Sequence, residues 1–284
     1  MRIEKNEDKC SECMLCVREC VMGVWRNVNG RSHVVDIDLC NRCSHCIAIC
    51  PNDAIVHDGL KKEEITTVKN KILDPNMYRD IITGRRSVRQ FKNKPVPRDI
   101  IEQILDVARY APTASNSQEV GYIVVTDKRL IEETAEHIFG LASRLYNITK
   151  KGIGKLFVNI TGLSRNRYIK AMKYAQEQNA QNGRDFILHD APVLILIHGP
   201  KRRPFACDNC NIAATTIINY AHALGLGTCF IGFMIKALQY SPALRRRFGI
   251  PRDRMVYASL VLGYPAYGFP NTVSRKKPQV DWLQ

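Results

Sequence analysis

Apolar residues along this chain follow two rhythms. Between Pro97 and Tyr110 they recur every three or four positions (Ile100, Ile101, Ile104, Leu105, Ala108), which predicts an amphipathic helix stopped at Ala111-Pro112. From Ala191 to Ile197 they are unbroken and of strand length, as in a strand buried on both faces; Val120 to Val125 and Val256 to Leu262 read as further strands. Asn209 to Leu224 is helical but lacks a strongly polar face, so it is central or at a subunit interface. It ends in Gly225-Leu226-Gly227, and Thr228 to Phe233 reads as a strand. Met77 to Thr83 is a short helix with Gly84 as its stop, and residues 128–185 form a long helical region where Tyr168, Met172 and Ala175 are spaced as a stripe. The longest plainly aliphatic run, Val193 to Ile197, is far short of a membrane span.

The first sixty residues show neither rhythm. Their apolar stretches are short (Val34-Val35-Asp36-Ile37 and Ala54-Ile55-Val56), suited to small strands between loops. What recurs there is cysteine: Cys10, Cys13, Cys16 and Cys20, then Cys40, Cys43, Cys46 and Cys50, each 30 positions on. C-x2-C-x2-C-x3-C is the spacing of bacterial iron–sulfur ferredoxins, in which the fourth cysteine of each run ligates the other cluster. Three thiolates so spaced converge on one cube while the fourth sits too far round. Cys10, Cys13, Cys16 and Cys50 are therefore assigned to one [4Fe-4S] cluster, and Cys40, Cys43, Cys46 and Cys20 to the other. Cys20 is followed by Val21 where Cys50 is followed by Pro51, a difference of local turn. Disulfides would suit a secreted chain, but Met1 to Asp8 is charged throughout with no apolar h-region. Zinc usually takes cysteine pairs across a longer gap. A reducing, cytoplasmic location is expected.

With 284 residues, 45% of them hydrophobic, the chain has room for a small domain and one of ordinary size. The expected boundaries are 1–60, a charged linker at 61–75 ending in Asp74-Pro75, and 76–284. Net charge is +15, unevenly divided: residues 1–60 hold seven Lys/Arg against nine Asp/Glu, and the remainder 35 against 18. Each oxidised cluster would add about −2 to the first part. Nucleic acid is the obvious suspicion for the basic part. Its charge is scattered, however, with short clusters only at Lys201-Arg202-Arg203, Arg245-Arg246-Arg247 and Arg275-Lys276-Lys277, and without a nucleic-acid-binding signature. Holding an anionic cofactor and facing acidic electron-transfer partners account for it better.

Arg85-Arg86-Ser87-Val88-Arg89-Gln90-Phe91 reads as extended chain, so Arg85, Ser87 and Arg89 share a face. Two guanidiniums and a hydroxyl there could grip a phosphate, or form a solvated basic strand. The loop Pro112-Thr113-Ala114-Ser115-Asn116-Ser117-Gln118 is small and rich in hydrogen-bonding groups, as around a flat polar heterocycle or in an ordinary loop. Glycines at 225 and 227 would let backbone amides approach a ligand. Cys207-Asp208-Asn209-Cys210 is either a redox pair or two small core residues, the latter favoured because it opens a helix that reads as buried. His45, between cluster ligands, is read as shaping its surroundings rather than binding iron.

Taken together, Arg-Arg-Ser-x-Arg-x-Phe, Pro-Thr-Ala-Ser-Asn-Ser-Gln, Gly-Leu-Gly-Thr-Cys-Phe-Ile-Gly, and Leu-Gly-Tyr-Pro followed by Arg-Lys-Lys-Pro resemble the nitroreductase family, in their order and across residues 77–278. The match is to members with an N-terminal two-cluster ferredoxin domain. The resemblance implies an α+β, nitroreductase-like FMN-binding fold and a homodimer with two flavin sites at its interface. By that resemblance Arg85, Arg86, Ser87 and Arg89 match the early flavin-binding motif, with Arg89 near the pyrimidine edge. Arg85, Arg275 and Lys277 (or Lys276) would hold the phosphate. Pro112, Thr113, Ala114 and Asn116 match a loop contributed by the other subunit; Gly225, Gly227, Thr228 and Cys229 match the segment approaching the ring. No side-chain acid or base is fixed in the motif, so no catalytic residue is named. The implied activity passes electrons between two [4Fe-4S] clusters and FMN to reduce a small organic acceptor (nitroaromatic, quinone, flavin or activated alkene), with ferredoxin or NAD(P)H as donor and neither nucleic acid nor membrane as partner. The competing reading is a non-catalytic electron-transfer or flavin-carrying protein that serves a partner enzyme.

Overall fold

The computed structural model describes residues 1–67, 74–148 and 167–283. The chain divides into two compact units, one of residues 1–72 and 113–118, the other of 73–112 and 119–284.

The cluster unit is built from β1 (Ile3–Lys5), α1 (Leu15–Glu19), β2 (Trp25–Val28), β3 (Arg31–Val34), α2 (His45–Ile49) and β4 (Ile55–His57). β1 pairs antiparallel with β4 and β2 with β3, so one ribbon joins the segment before the first cysteine run to the segment after the second, and the other lies between the two runs. The repeat also governs backbone conformation. Glu12 and Met14 sit at φ 50° and 60°, and Arg42 and Ser44, thirty positions on, at 56° and 65°. Left-handed residues other than glycine cost about 1 kcal/mol or more each. They recur at equivalent places between the cysteines of the two runs and turn the chain sharply there. The core is small. Ile3, Val24, Trp25 and Ile55 are buried, padded by partly buried Val17, Val34, Ile37, Ile47 and five cysteines.

The larger unit holds α3 (Pro75–Gly84), α4 (Arg98–Ala108), β5 (Gly121–Val125), α5 (Lys128–Ile148), α6 (Arg167–Asn182), β6 (Val193–Pro200), α7 (Ala206–Ala223), β7 (Gly227–Phe230), α8 (Gly232–Tyr240), α9 (Pro242–Arg247) and β8 (Arg254–Gly263). Its antiparallel sheet runs β5-β6-β8-β7. β6 lies inside the sheet, and its side chains alternate between two cores: Leu194 and Leu196 face α5, α8 and α9, while Val193, Ile195 and Ile197 face α4 and α7. That is why its sequence is unbroken in hydrophobicity. Ile104 of α4 and Ile217 of α7 are fully buried in the second core. At roughly 1.5–3 kcal/mol for each such aliphatic side chain, these cores dominate the stability of the unit.

Several elements depart from their predicted bounds. Asp74 caps α3 by accepting from the Asn76 N–H at 2.9 Å, so the helix starts at Pro75, two residues before the expected Met77. The strand predicted to reach Phe233 ends at Phe230, and α8 begins at Gly232. Of the predicted stripe, Ala175 is buried and Met172 half-buried; the Tyr168 side chain lies outside the described residues, as do 149–166 of the long helical region and 68–73 of the linker. The Arg245-Arg246-Arg247 cluster is absorbed structurally. It occupies the last turn of α9, Arg245 donates to the carbonyls of Pro251 and Arg254, and Arg247 pairs with Glu133. Among the described residues no helix is long and apolar enough to cross a membrane.

Candidate functional site

A cavity is lined by Cys20, Cys40, Cys43 and Cys46, the four thiols assigned to the second cluster, together with Trp25 and His57. Cys20 and Cys43 both lie close enough to Cys46 to disfavour its ionisation, and Cys10 does the same to Cys16. Burial is the larger cause, and it pushes Cys46 up to about 11 when no metal is present. Iron would reverse that, since a coordinated thiol is deprotonated. The surroundings fit a thiolate cluster. The buried indole N–H of Trp25 has no ordinary partner and presents its dipole to the Cys46 sulfur. The N–H groups of Arg42 and Ala54 donate to the sulfurs of Cys40 and Cys50 at 3.4 and 3.3 Å, and His57 Nε2 lies 3.5 Å from Cys40. Donors aimed at sulfur stabilise the anionic cluster and raise its potential. Among the described residues no three His, Cys, Asp or Glu side chains gather as for a single ion; a cube instead offers separate irons to separate thiolates. His45 pairs with Glu19 at 3.1 Å rather than with a ligand.

In the larger unit the sheet edge brings two distant motifs side by side. Ser87 bridges Thr228 in parallel, and the Val88 N–H donates to the Thr228 carbonyl at 2.9 Å. Farther along, Lys92 donates to Tyr264 and Ala266 to Gln90, so Gly263-Tyr264-Pro265 anchors the other end of the stretch. Gly227 is required by this contact: a Cβ there would meet the Val88 side chain at 2.6 Å. The glycine thus admits a neighbouring strand, a reason for it that the sequence reading did not foresee.

The consequence is a cluster of cations. Arg85, Ser87 and Arg89 all address Cys229 on β7: burial raises the Cys229 thiol pKa, while Arg89, a Ser87 hydrogen bond and Arg85 oppose it. Burial lowers the Arg85 guanidinium pKa against the opposing pull of Cys229, and Arg86 and Arg275 depress it further. Among the described residues Arg85, Arg89 and Arg275 have no carboxylate partner in an ion pair. A half-buried cation facing like charges fits an anionic ligand such as a flavin phosphate. Arg86 differs. Its Nη groups donate to the carbonyls of Thr83, Arg85 and Asn271, and its Nε is buried without a partner. It ties the end of α3 to the C-terminal segment. Lys277 is exposed, and no contact to the arginines is seen for it. Gly225 takes φ 76° at the end of α7, where its N–H donates to the His222 carbonyl at 2.9 Å.

Two histidines unmarked by any motif border this cluster. The pKa of His222 is lowered by burial and then by Arg85 and Arg86. That of His189 is lowered by burial, with Asp185 opposing and Arg89 reinforcing the shift. Burial and the neighbouring arginines thus favour the neutral form of both rings. A cavity of about 950 Å³, lined among others by Phe91, Lys94, Phe139, Phe186 and Asp190, includes none of Arg85, Ser87, Arg89 and Cys229.

The loop after Pro112 belongs with the cluster unit from Thr113 to Gln118. Thr113 Oγ1 accepts from the Gln118 N–H at 3.1 Å, and Asn116 donates to the carbonyls of Asn41 and Arg42 at 3.0 and 2.9 Å. Ser115, Asn116 and Gln118 are all left-handed. Elsewhere, Cys210 is fully buried, its thiol pushed up to about 12 mainly by burial, whereas Cys207 is exposed and its sulfur accepts from Asn211. Only Cys210 is thus the small core residue expected of both.

Comparison with known proteins agrees with this geometry. Residues 82–264 match the nitroreductase family, and residues 9–55 the 4Fe-4S dicluster domain. The chloronitrobenzene nitroreductase of Comamonas testosteroni is 28% identical over 211 residues, covering 65% of this chain and 85% of that protein. The nitrobenzene nitroreductase of Ectopseudomonas oleovorans is 27% identical over 221 residues, covering 71% and 93%. Among solved structures, an FMN-bound nitroreductase from Bacteroides fragilis superposes with a TM-score of 0.55 at 20% identity, covering 73% of this chain and 98% of that one, a likeness of fold. The non-catalytic reading gives way accordingly. This chain belongs to the nitroreductase family, as an FMN-dependent oxidoreductase of mixed helix and sheet that carries a ferredoxin-like domain for two [4Fe-4S] clusters.

Proposed function

We propose that the enzyme takes electrons singly through its two clusters and delivers them in pairs to a small organic acceptor, a nitroaromatic, quinone, flavin or activated alkene. The observation that carries this reading is the uncompensated arginine cluster of Arg85, Arg89 and Arg275 in a chain that also holds two iron–sulfur sites. Bound FMN supplies the exchange between one-electron and two-electron chemistry. The chain's part is to hold it: Arg85 and Arg275, with Lys277 or Lys276, meet the phosphate. Ser87 belongs to the same flavin-binding stretch, and Arg89 would lie near the pyrimidine edge, where a guanidinium stabilises negative charge and raises the reduction potential. Gly225, Gly227, Thr228 and Cys229 would approach the ring from the turn into β7, and Pro112, Thr113, Ala114 and Asn116 of the second copy would line it.

The relatives named above are reductases of nitroarenes, which supports that acceptor class. A second copy of the chain completing each flavin site is part of the proposal; Phe205, Ile212, Phe230 and Phe233 are large, apolar and exposed, as an association surface requires. The donor is reduced ferredoxin or NAD(P)H. Anaerobic turnover of nitrobenzene by the FMN- and iron-loaded enzyme tests the activity: multiple turnovers with either donor support it, and consumption of no more than one equivalent contradicts it.

A further inference from the structure

One pair of cysteines belongs to neither cofactor site. Cys207 and Cys210 stand at the start of α7, three residues apart, so their side chains lie about 60° from each other round the helix axis. Cys207 is exposed, whereas Cys210 is fully buried, its sulfur packed against Gly199 of β6, where an added Cβ would stand 3.2 Å from it. The two sulfurs are neighbours. Cys207 is close enough to Cys210 to disfavour its ionisation, and both act in the same way on the Tyr257 hydroxyl. Each also has a polar attendant. Asn211 Nδ2 donates to the Cys207 sulfur at 3.4 Å and to the Cys207 carbonyl at 2.8 Å. Arg254, which donates to His198 Nδ1 at 2.6 Å, favours the thiolate of Cys210 against the effect of burial.

The pair is also able to close. Residues three apart on a helix have Cβ atoms about 5–6 Å apart and a disulfide needs about 3.5–4.5 Å, so the first turn must move by about 1–2 Å. Cys207 is the second helical residue, and its N–H is among the donors that have no acceptor within the helix, so moving it breaks no helix hydrogen bond made by that amide. The five residues before Ala206 are exposed. Ile212, large, apolar and exposed, lies about 140° round the helix from Cys207, so the sulfur is not on the face that carries it.

We propose that Cys207 and Cys210 form a thiol–disulfide exchange site whose reactant is a small anionic disulfide. Cys207, as thiolate, attacks one sulfur of the reactant, breaking its S–S bond and expelling one thiolate. Cys210 then gives up its proton and attacks the Cys207 sulfur, forming the Cys207–Cys210 bond and expelling the second. The pair is oxidised by two electrons, the reactant is reduced to two thiols, and the two protons of the pair end on those thiols. The anionic class follows from the surroundings. Lys201, Arg202 and Arg203 immediately precede the helix and outnumber Asp208 and Glu119, the latter paired with Arg203 at 3.3 Å.

The test uses the full chain with FMN and both clusters in place, incubated under nitrogen with glutathione disulfide, then alkylated in denaturant and mapped by peptide mass spectrometry. The expected result is a peptide in which Cys207 and Cys210 have lost two hydrogens together and escape alkylation while Cys229 is alkylated. Both cysteines alkylated, or a reaction that stops at a mixed disulfide on Cys207, overturns the proposal. Cys210→Ala should stop at that mixed disulfide. Cys207→Ser changes only an exposed side chain and should leave Cys210 free for alkylation; a mixed disulfide on Cys210 in this variant overturns the assignment of Cys207 as the attacking sulfur. Cystamine, a dicationic disulfide, tests the charge class. Glutathione disulfide should react faster than cystamine at low salt, with the difference shrinking as salt is added, and faster reaction of cystamine overturns the anionic class.

Discussion

The two units of this chain are stabilised by different physics. The sheet unit has two aliphatic cores, one on each side of β6, each built from more than a dozen buried side chains. The core cluster of the cluster unit has four buried hydrophobic residues, and its backbone is left-handed at Glu12, Met14, Arg42 and Ser44 between the cysteines. A core of that size cannot hold some sixty residues alone, and units so small usually need a metal or disulfides. The sheet unit therefore has a fold into which a cofactor fits, whereas the cluster unit has a fold because of its cofactors.

Removing the iron should produce the largest effect. Oxidative cluster loss followed by chelation is expected to unfold the cluster unit outright, so that limited proteolysis cuts within residues 1–67 while the sheet unit resists. Equal protection before and after would show that the four-residue core suffices. Next comes Ile104→Ala, which empties a fully buried site in the sheet unit. It should lower that unit's unfolding free energy by about 2–5 kcal/mol in urea melts, leaving the iron content unchanged.

Arg89→Ala is smaller in stability but direct in function. Losing one charge-assisted contact of about 1.5–3 kcal/mol should weaken FMN binding roughly ten- to a hundredfold, measured by fluorescence as flavin is released. Wild-type affinity in the variant would remove Arg89 from the site. The smallest effect is on pH dependence. His189, His198 and His222, all in the sheet unit, have pKa values lowered by burial. The unfolded chain therefore binds more protons than the native one near and below pH 6.5, so the stabilisation present above that value is lost as pH falls through the native pKa values. Melting temperatures of the sheet unit should drop from pH 7.5 to pH 5.5, and His198→Asn should flatten the slope.

Much of this organisation was legible because it is written locally. Three cysteines stepped by three positions, repeated after thirty, mark the 4Fe-4S dicluster domain, and Cys20 lines one cavity with Cys40, Cys43 and Cys46. The period of Ile100 to Ala108 and the unbroken run in β6 placed those elements for the same reason. The end of β7 was not legible, because Phe230 to Phe233 is apolar throughout and the switch to α8 occurs at Gly232 without a polar signal. Nor was the role of Gly227, which depends on where Val88 arrives from 139 positions away. Trp25, His222 and the bond from Asn116 to Asn41 and Arg42 leave no pattern at all; each is a meeting of residues whose distance in sequence carries no period.

The passage of electrons from iron–sulfur cluster to flavin is tested most directly by anaerobic rapid mixing with photoreduced bacterial ferredoxin, following the flavin absorbance in the wild-type protein and in Cys46→Ser. Bleaching that is fast in the wild type and lost in Cys46→Ser, with FMN content equal in both, is the predicted result. Equal bleaching rates in the two proteins would mean that electrons reach the flavin without the clusters, and would contradict it.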